Sequence, residues 1–279
     1  MENTESKAWF ITGVSTGFGR ELMTAALERG DSVFGTVRNA ELVEELEKMA
    51  PGRAFASVMD VTDEASVRQT VISAAAKLKK LDVVVNNAGF GLLGAIEETS
   101  AEEVEHQFAT NVFGALNIIR AAMPILREQA SGHVLNITSI GGLVAYPGWG
   151  VYNGTKFALE GISEALRKEV APFGVKVSAI EPSAFRTDWA GRSLRAASQP
   201  IAAYEEGSPR QYVGALNGQQ KGDPARAAQA MLKLVDMNDP PAQLLLGSEA
   251  MEDASNKFEN ALSEFGEFAE LSRSADFPD

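Results

Sequence analysis

Ala8-Trp9-Phe10-Ile11-Thr12-Gly13-Val14-Ser15-Thr16-Gly17-Phe18-Gly19 is a short apolar run that passes into three spaced glycines. Residues 20–29 follow with Leu22, Ala25, Ala26 and Leu27 at helical spacing, so the stretch reads as strand, glycine turn, helix. Glycines at such a turn let a backbone approach a pyrophosphate closely. The helix behind it offers free N–H groups and a positive dipole end. A plain turn has the same composition, and the spacing departs from the G-x-G-x-x-G of dinucleotide sites, so the residues beyond must decide between them.

Working outward, the pattern repeats. Residues 32–37 form a second strand ending at Arg38-Asn39, a short helix spans about 40–49, and a strand over 54–59 ends at Asp60-Val61. About twenty residues past the glycines, NAD sites place an acid on the ribose 2′-hydroxyl, whereas NADP sites place an Arg for the extra phosphate. Here Val37 and Arg38 occupy that place with no acid, which favours NADP(H) over NAD(H). Asp60 is suited to the adenine amino group or to capping the helix that starts near Asp63. After that helix (63–79), Leu81-Asp82-Val83-Val84-Val85 runs into Asn86-Asn87-Ala88-Gly89; successive β-branched residues imply a strand buried on both faces of a parallel sheet. A long amphipathic helix over 101–129 contains Asn111, with Pro124 expected to bend or divide it. A strand over 133–138 stops at Ser139, in surroundings that are not G-x-S-x-G, so no nucleophile elbow is indicated.

Tyr152-Asn153-Gly154-Thr155-Lys156 then opens a helix over 150–172. A phenol and an ammonium four residues apart share one helical face, roughly 5–6 Å apart at Cβ. Such pairs are common on solvated faces. A nearby cation also favours the phenolate, so Lys156 is expected to pull the phenol down from its ordinary pKa of about 10 toward working pH. A sixth strand ends at Pro182, residues 183–222 lose all periodicity and read as a lid over a substrate, and a helix (223–237) and strand (243–246) complete seven strands. The alternation predicts an α/β fold: a Rossmann-type, doubly wound, seven-stranded parallel sheet in three α/β/α layers, one domain over 1–247. Residues 248–279 read as an acidic helical extension, with Met251, Phe258, Leu262 and Phe265 at helical spacing, either docked on the chain's own body or on a subunit partner, or simply solvated.

Composition bounds the partners. A net charge of −13 disfavours nucleic acid and anionic membrane, whose binding draws on Lys and Arg. No cysteine is present, and His106 and His133 stand far apart, so no metal site is expected. The polar stretch from Met1 to Lys7 does not resemble a leader, and no run of about 18 apolar residues is seen. The expectation is a soluble cytoplasmic protein.

Thr12-Gly13-x-x-x-Gly17-x-Gly19, Asn86-Asn87-Ala88-Gly89, Asn111, Ser139 and Tyr152-x-x-x-Lys156, in this order and at these distances, resemble the classical short-chain dehydrogenase/reductase family over about residues 7–190 and 223–247. The resemblance implies a catalytic set of Asn111, Ser139, Tyr152 and Lys156. Tyr152 would be the general acid/base, Ser139 would bond the substrate oxygen, Lys156 would hold the nicotinamide ribose and lower the phenol pKa, and Asn111 would hold a water leading to solvent. For the cofactor it implies Gly13, Ser15, Gly17, Phe18 and Gly19 at the pyrophosphate turn, Asp60 and Val61 at the adenine, and Asn87, Ala88 and Gly89 at the nucleoside. Pro182 and Thr187 would stand beside the nicotinamide. Pro182-Ser183 replaces the family's Pro-Gly. The implied function is an NADP(H)-dependent oxidoreductase acting on a ketone, aldehyde or secondary alcohol, mainly apolar given Phe90, Leu92, Leu93, Trp149 and Trp189. A homodimer or homotetramer is implied by analogy. The alternative from another class is a catalytically silent NADP(H)-binding sensor or scaffold of the same fold.

Overall fold

Burial decides which strands lie at the centre. A computed structural model describes residues 6–277; the first five positions of the polar N-terminus and the last two of the acidic extension lie outside the described residues. Strands β1 (Ala8–Thr12), β2 (Ser32–Val37), β3 (Ala54–Val58), β4 (Val83–Asn86), β5 (Gly91–Leu93), β6 (Gly132–Ile137), β7 (Val175–Pro182), β8 (Leu194–Ala196) and β9 (Gln243–Leu246) alternate with helices. These are α1 (Gly17–Arg29), α2 (Glu41–Lys48), α3 (Glu64–Leu78), α4 (Ala101–Phe108), α5 (Gly114–Gln129), α6 (Gly150–Val170), α7 (Val213–Leu216), α8 (Pro224–Val235), α9 (Ser248–Glu267) and α10 (Ala269–Arg273). Seven strands form one parallel sheet in the order β3-β2-β1-β4-β6-β7-β9. Every residue of β1 and β4 is buried, as the unbroken apolar runs require of a sheet covered on both faces.

Two cores flank the sheet. Leu22, Met23 and Leu27 of α1, Leu46 of α2 and Met231 and Leu232 of α8 pack on one face with Trp9 and Ile11. Val67 and Val71 of α3, Ile118 and Leu126 of α5 and Leu166 of α6 pack on the other with Phe10 and Val84. The expected doubly wound, three-layer single domain is therefore present. Its strand order reverses between β1 and β4, the place where such sheets open a crevice at their carboxyl ends.

Four elements differ from the sequence reading. The long helix divides at a π-helical turn over Ala109–Phe113, and Pro124 lies inside α5. Residues 183–222 are not wholly irregular, because β8 pairs in parallel with β5, which periodicity alone did not show. The helix Ala101–Gln129 is long and apolar enough to cross a membrane by length and composition, but polar Asn111, Asn117 and Arg120 interrupt it and half of its most apolar 18-residue window is buried inside the protein. Finally, α9 is helical as expected but buries only Ala250 and Ala254 among its residues; Phe258, Leu262 and Phe265 face solvent.

Candidate active site

The cleft begins with one hydroxyl. Thr12, at the carboxyl end of β1, donates from Oγ1 to the Val85 carbonyl (3.2 Å) and accepts from the N–H groups of Asn87 and Ala88, both at 3.0 Å. Asn87 returns the bond through Nδ2 to the carbonyls of Thr12 (2.8 Å) and Gly13 (2.9 Å). The Asn86–Gly89 segment is thereby locked to the glycine turn. In that turn Gly13 (φ 72°) and Gly17 (φ 60°) take left-handed conformations that favour glycine. Gly19 serves a different need, since a Cβ there would stand 2.4 Å from the Gly13 carbonyl oxygen. Its absence lets α1 pack against the turn.

A cleft of about 560 Å³ opens above these strand ends. Gly13, Ser15, Gly17, Phe18, Arg38, Asp60, Val61, Asn87, Ala88, Gly89, Ser139, Tyr152, Lys156, Pro182 and Thr187 all line it. Gly19 and Asn111 sit behind its wall. Arg38 is exposed at the end of β2. Asp60 is not the cap of α3; that is Asp63, which accepts from Ser66 N–H. Asp60 instead accepts from the N–H (2.9 Å) and hydroxyl (2.8 Å) of Thr62. Partial burial raises its pKa, but the Thr62 bonds and the charges of Arg38 and His106 outweigh that and hold the carboxyl below its ordinary value. Ser183, where glycine was expected, keeps its backbone bond to the Leu246 carbonyl (3.0 Å), and its hydroxyl occupies the space a Cβ would fill at Gly247. Thr187 stands against Gly17 across the turn.

Ser139, Tyr152 and Lys156 converge at the inner end. The Ser139 hydroxyl and the Tyr152 ring meet beside Gly141, and Lys156 Nζ donates to the Ile137 carbonyl at 2.8 Å, 5.7 Å from the centre of the tyrosine ring. Asn153 holds the two segments together, donating to the Gly141 carbonyl (2.9 Å) and accepting from Tyr146 N–H (3.0 Å). The π turn aims Asn111 at Phe90 and Thr155: Oδ1 accepts from Phe90 N–H (3.1 Å), and Nδ2 donates to the Phe90 carbonyl (3.0 Å) and to Thr155 Oγ1 (3.2 Å). Asn153 and Thr155 were given no role from the sequence, because their bonds to Gly141 and Tyr146 and to Asn111 form only once the loop and the π turn are folded against α6. An Asn or Thr in a helix carries no periodic signal for that.

One expectation is overturned. Lys156 does not lower the tyrosine pKa in this structure: burial pushes Tyr152 up to about 12, and the nearby Ser139 hydroxyl acts against it without prevailing. Burial pulls Lys156 down to about 8, the charge of Glu160 acting the other way. Taking either charge out of water costs more than a partner at this distance returns.

Trp149, Trp189 and Tyr152 form an aromatic wall, with ring centres 5.5 Å (Trp149–Trp189), 5.2 Å (Tyr152–Trp189) and 6.0 Å (Trp149–Tyr152) apart. The segment over 183–222 that carries Trp189 is pinned at its far half. Buried Glu98 accepts from Ile201 N–H and from Arg210, each at 2.8 Å, and Glu103 accepts from Ser198 N–H at 2.9 Å. Tyr146 lines the cleft while its hydroxyl donates to Asp253 of α9 at 2.5 Å.

A dinucleotide-binding α/β protein with a Ser–Tyr–Lys centre is the class that this fold and cleft define. The family model described as short chain dehydrogenase matches residues 7–197, and the chain belongs to that family. It is 38% identical over 257 residues to an oxidoreductase of Botryotinia fuckeliana, covering 91% of this chain and 93% of the relative. A protein of Bacteroides thetaiotaomicron named 3-ketodihydrosphingosine reductase is 36% identical, covering 85% and 86%. The crystal structure of a short-chain dehydrogenase from Streptomyces avermitilis superposes with a TM-score of 0.90 at 38% identity, covering 99% of this chain and all of that one. The protein is thus a dehydrogenase or reductase acting on CH–OH or C=O groups, and the silent-scaffold alternative is not favoured.

Behind Lys156 lies a pair of carboxyls, one of them fully buried. Glu181 of β7 has no exposed surface and lies beside Glu160 of α6. Burial first, then the Glu160 charge, push Glu181 up from 4.5 to about 9. Between those values the folded protein holds a proton that the unfolded chain has lost, so this group makes stability fall as pH rises through that window. Glu181→Gln removes the penalty. Thermal melts at pH 5, 6.5 and 8 should show the variant's melting temperature falling less steeply than the wild type's, with its advantage largest at pH 8; parallel curves would contradict a protonated Glu181.

Proposed function

We propose that the protein is an NADP(H)-dependent reductase or dehydrogenase that exchanges a hydride with a ketone, aldehyde or secondary alcohol of mainly apolar character. The observation that carries the reading is the meeting of Ser139, Tyr152 and Lys156 beneath the aromatic wall of Trp149 and Trp189. Catalytic residues lie at the inner end of a cleft whose other end is the glycine turn.

The cradle fits a dinucleotide. Gly13 and Gly17 keep the turn low, and the N-cap of α1, Thr16, makes no side-chain cap bond, so the first N–H groups of α1 remain for a phosphate. Arg38, with no acid at the end of β2, supports NADP(H) over NAD(H). The bound nicotinamide supplies or accepts the hydride. Ser139 orients the substrate oxygen by a hydrogen bond, and Tyr152 gives its hydroxyl proton to that oxygen or takes one in the reverse direction. A phenol held near 12 is protonated at neutral pH, the form needed to donate in carbonyl reduction. Lys156 holds the ribose hydroxyls. Asn111 keeps one lone pair on Oδ1 for a water that links Lys156 to solvent. The keto substrate in the name of the Bacteroides thetaiotaomicron relative supports reduction of a ketone.

The same reading makes the protein a cytoplasmic homo-oligomer that associates through the helices near 101–130 and 150–172, where Phe113 and Phe157 are exposed. Light scattering should then give a molar mass of two or four chains, and the mass of one chain would refute it.

Tyr152→Phe removes one hydroxyl and should abolish turnover on a panel of carbonyls followed by NADPH absorbance, while leaving NADPH affinity within about twofold because the cofactor cradle is untouched. Full activity would sink the assignment. NADPH should raise the melting temperature more than NADH at equal concentration, by mass action on the tighter complex; an equal or larger shift with NADH would overturn the cofactor preference.

A further inference from the structure

Arg192 of the lid reaches across the cleft to the glycine turn. Its Nη2 donates to Thr16 Oγ1 at 2.8 Å and to Ser15 Oγ at 3.4 Å, 176 residues away in the chain. This is an unfavourable place for a cation taken alone. Thr16 is the N-cap of α1, and the open end of a helix carries partial positive charge. The acid nearest in the ion pairs of Arg192 is Asp188, at 4.0 Å and more than half exposed, which screens little of that repulsion. A phosphate resolves the conflict. It accepts from the backbone N–H groups of the turn on one side and from a planar guanidinium on the other, the geometry in which Arg excels.

We propose that Arg192 is a phosphate-binding residue for the nicotinamide dinucleotide, supplied by the lid rather than by the strand ends. This rests on the reading of the cleft as a dinucleotide site. Position within the lid gives the contact a second consequence. Arg192 lies three residues past Trp189, which stacks on Trp149 and leans on Tyr152, and five past Thr187, which packs against Gly17. The far half of the lid is held independently by Glu98 and Glu103. Residues 187–193 are therefore the part whose seat depends on the turn, and a phosphate held by Arg192 fixes the aromatic wall over the tyrosine at the moment the cofactor binds.

The test is a tryptophan-fluorescence titration of NADPH and, separately, NADH into the full-length cofactor-free protein, comparing wild type, Arg192→Ala, Arg192→Lys and Arg68→Ala. Arg68 is an exposed arginine of α3 that does not line the cleft. Arg192 is 60% exposed at its side chain, so its removal should leave the melting temperature without cofactor unchanged. Arg192→Ala should raise the Kd by about tenfold, the loss expected for one charge-assisted hydrogen-bonded contact, with Arg192→Lys intermediate and Arg68→Ala equal to wild type. Weakening for both cofactors places the contact on the pyrophosphate; weakening for NADPH alone places it on the 2′-phosphate. The affinity of Arg192→Ala should also depend less steeply on salt. Kd values within twofold of wild type for both cofactors would overturn the proposal and leave the cofactor site standing. A wild-type protein that binds neither cofactor would instead remove the dinucleotide reading itself.

Discussion

The Thr12 hydroxyl is the bond on which the site depends. It sits where the strand order reverses, between β1 and β4, so the connections on either side leave toward opposite faces and the strand ends part. Parting alone would leave two loops free to drift. By donating to Val85 and accepting from Asn87 and Ala88, Thr12 makes the two strand ends one rigid floor. The glycine turn rests on that floor through Asn87 Nδ2, and α1 closes on the turn because Gly19 has no Cβ. Everything placed in the cleft is placed relative to this join.

Electrostatics at the inner end follow from burial more than from pairing. Tyr152, Lys156 and Glu181 are each pushed toward their neutral forms by loss of water. Such an arrangement favours neutral groups over fixed charge and keeps the tyrosine protonated, in keeping with its proposed role as proton donor. It also costs stability, which the two apolar cores on either side of the sheet offset. Rigid floor, neutralised centre and aromatic wall together suit the proposed function, in which an oxygen is oriented and water excluded from an apolar body.

Residues 183–222 show how a segment without periodicity can still be specified. Its order comes from bonds to distant acids: Glu98 to Ile201 and Arg210, Glu103 to Ser198, Glu97 to Tyr204. None of these pairs is closer than ninety residues in the chain, so no local pattern announces them. The β5–β8 pairing was hidden for the same reason, each strand being three residues long. The acidic extension was legible as a helix from its spacing, yet its apolar stripe faces solvent and it meets the body through small buried Ala250 and Ala254 and through the bond from Tyr146 to Asp253.

Local pattern by itself determined the alternation of strand and helix, the parallel sheet and the glycine turn, because each leaves a short-range signature in apolar period or glycine placement, while Ser139, Tyr152 and Lys156 were marked out by the family resemblance of the motifs taken together. Tertiary structure decided what could not be local. It placed the helix break at Asn111 rather than at Pro124, gave Asp60 to Thr62 rather than to a cap, offset the missing glycine at Ser183 with Gly247, and reversed the expected shift of the tyrosine pKa. In each case the outcome rests on a distant partner or on the amount of water excluded. Those are properties of the packed molecule that no stretch of sequence carries alone.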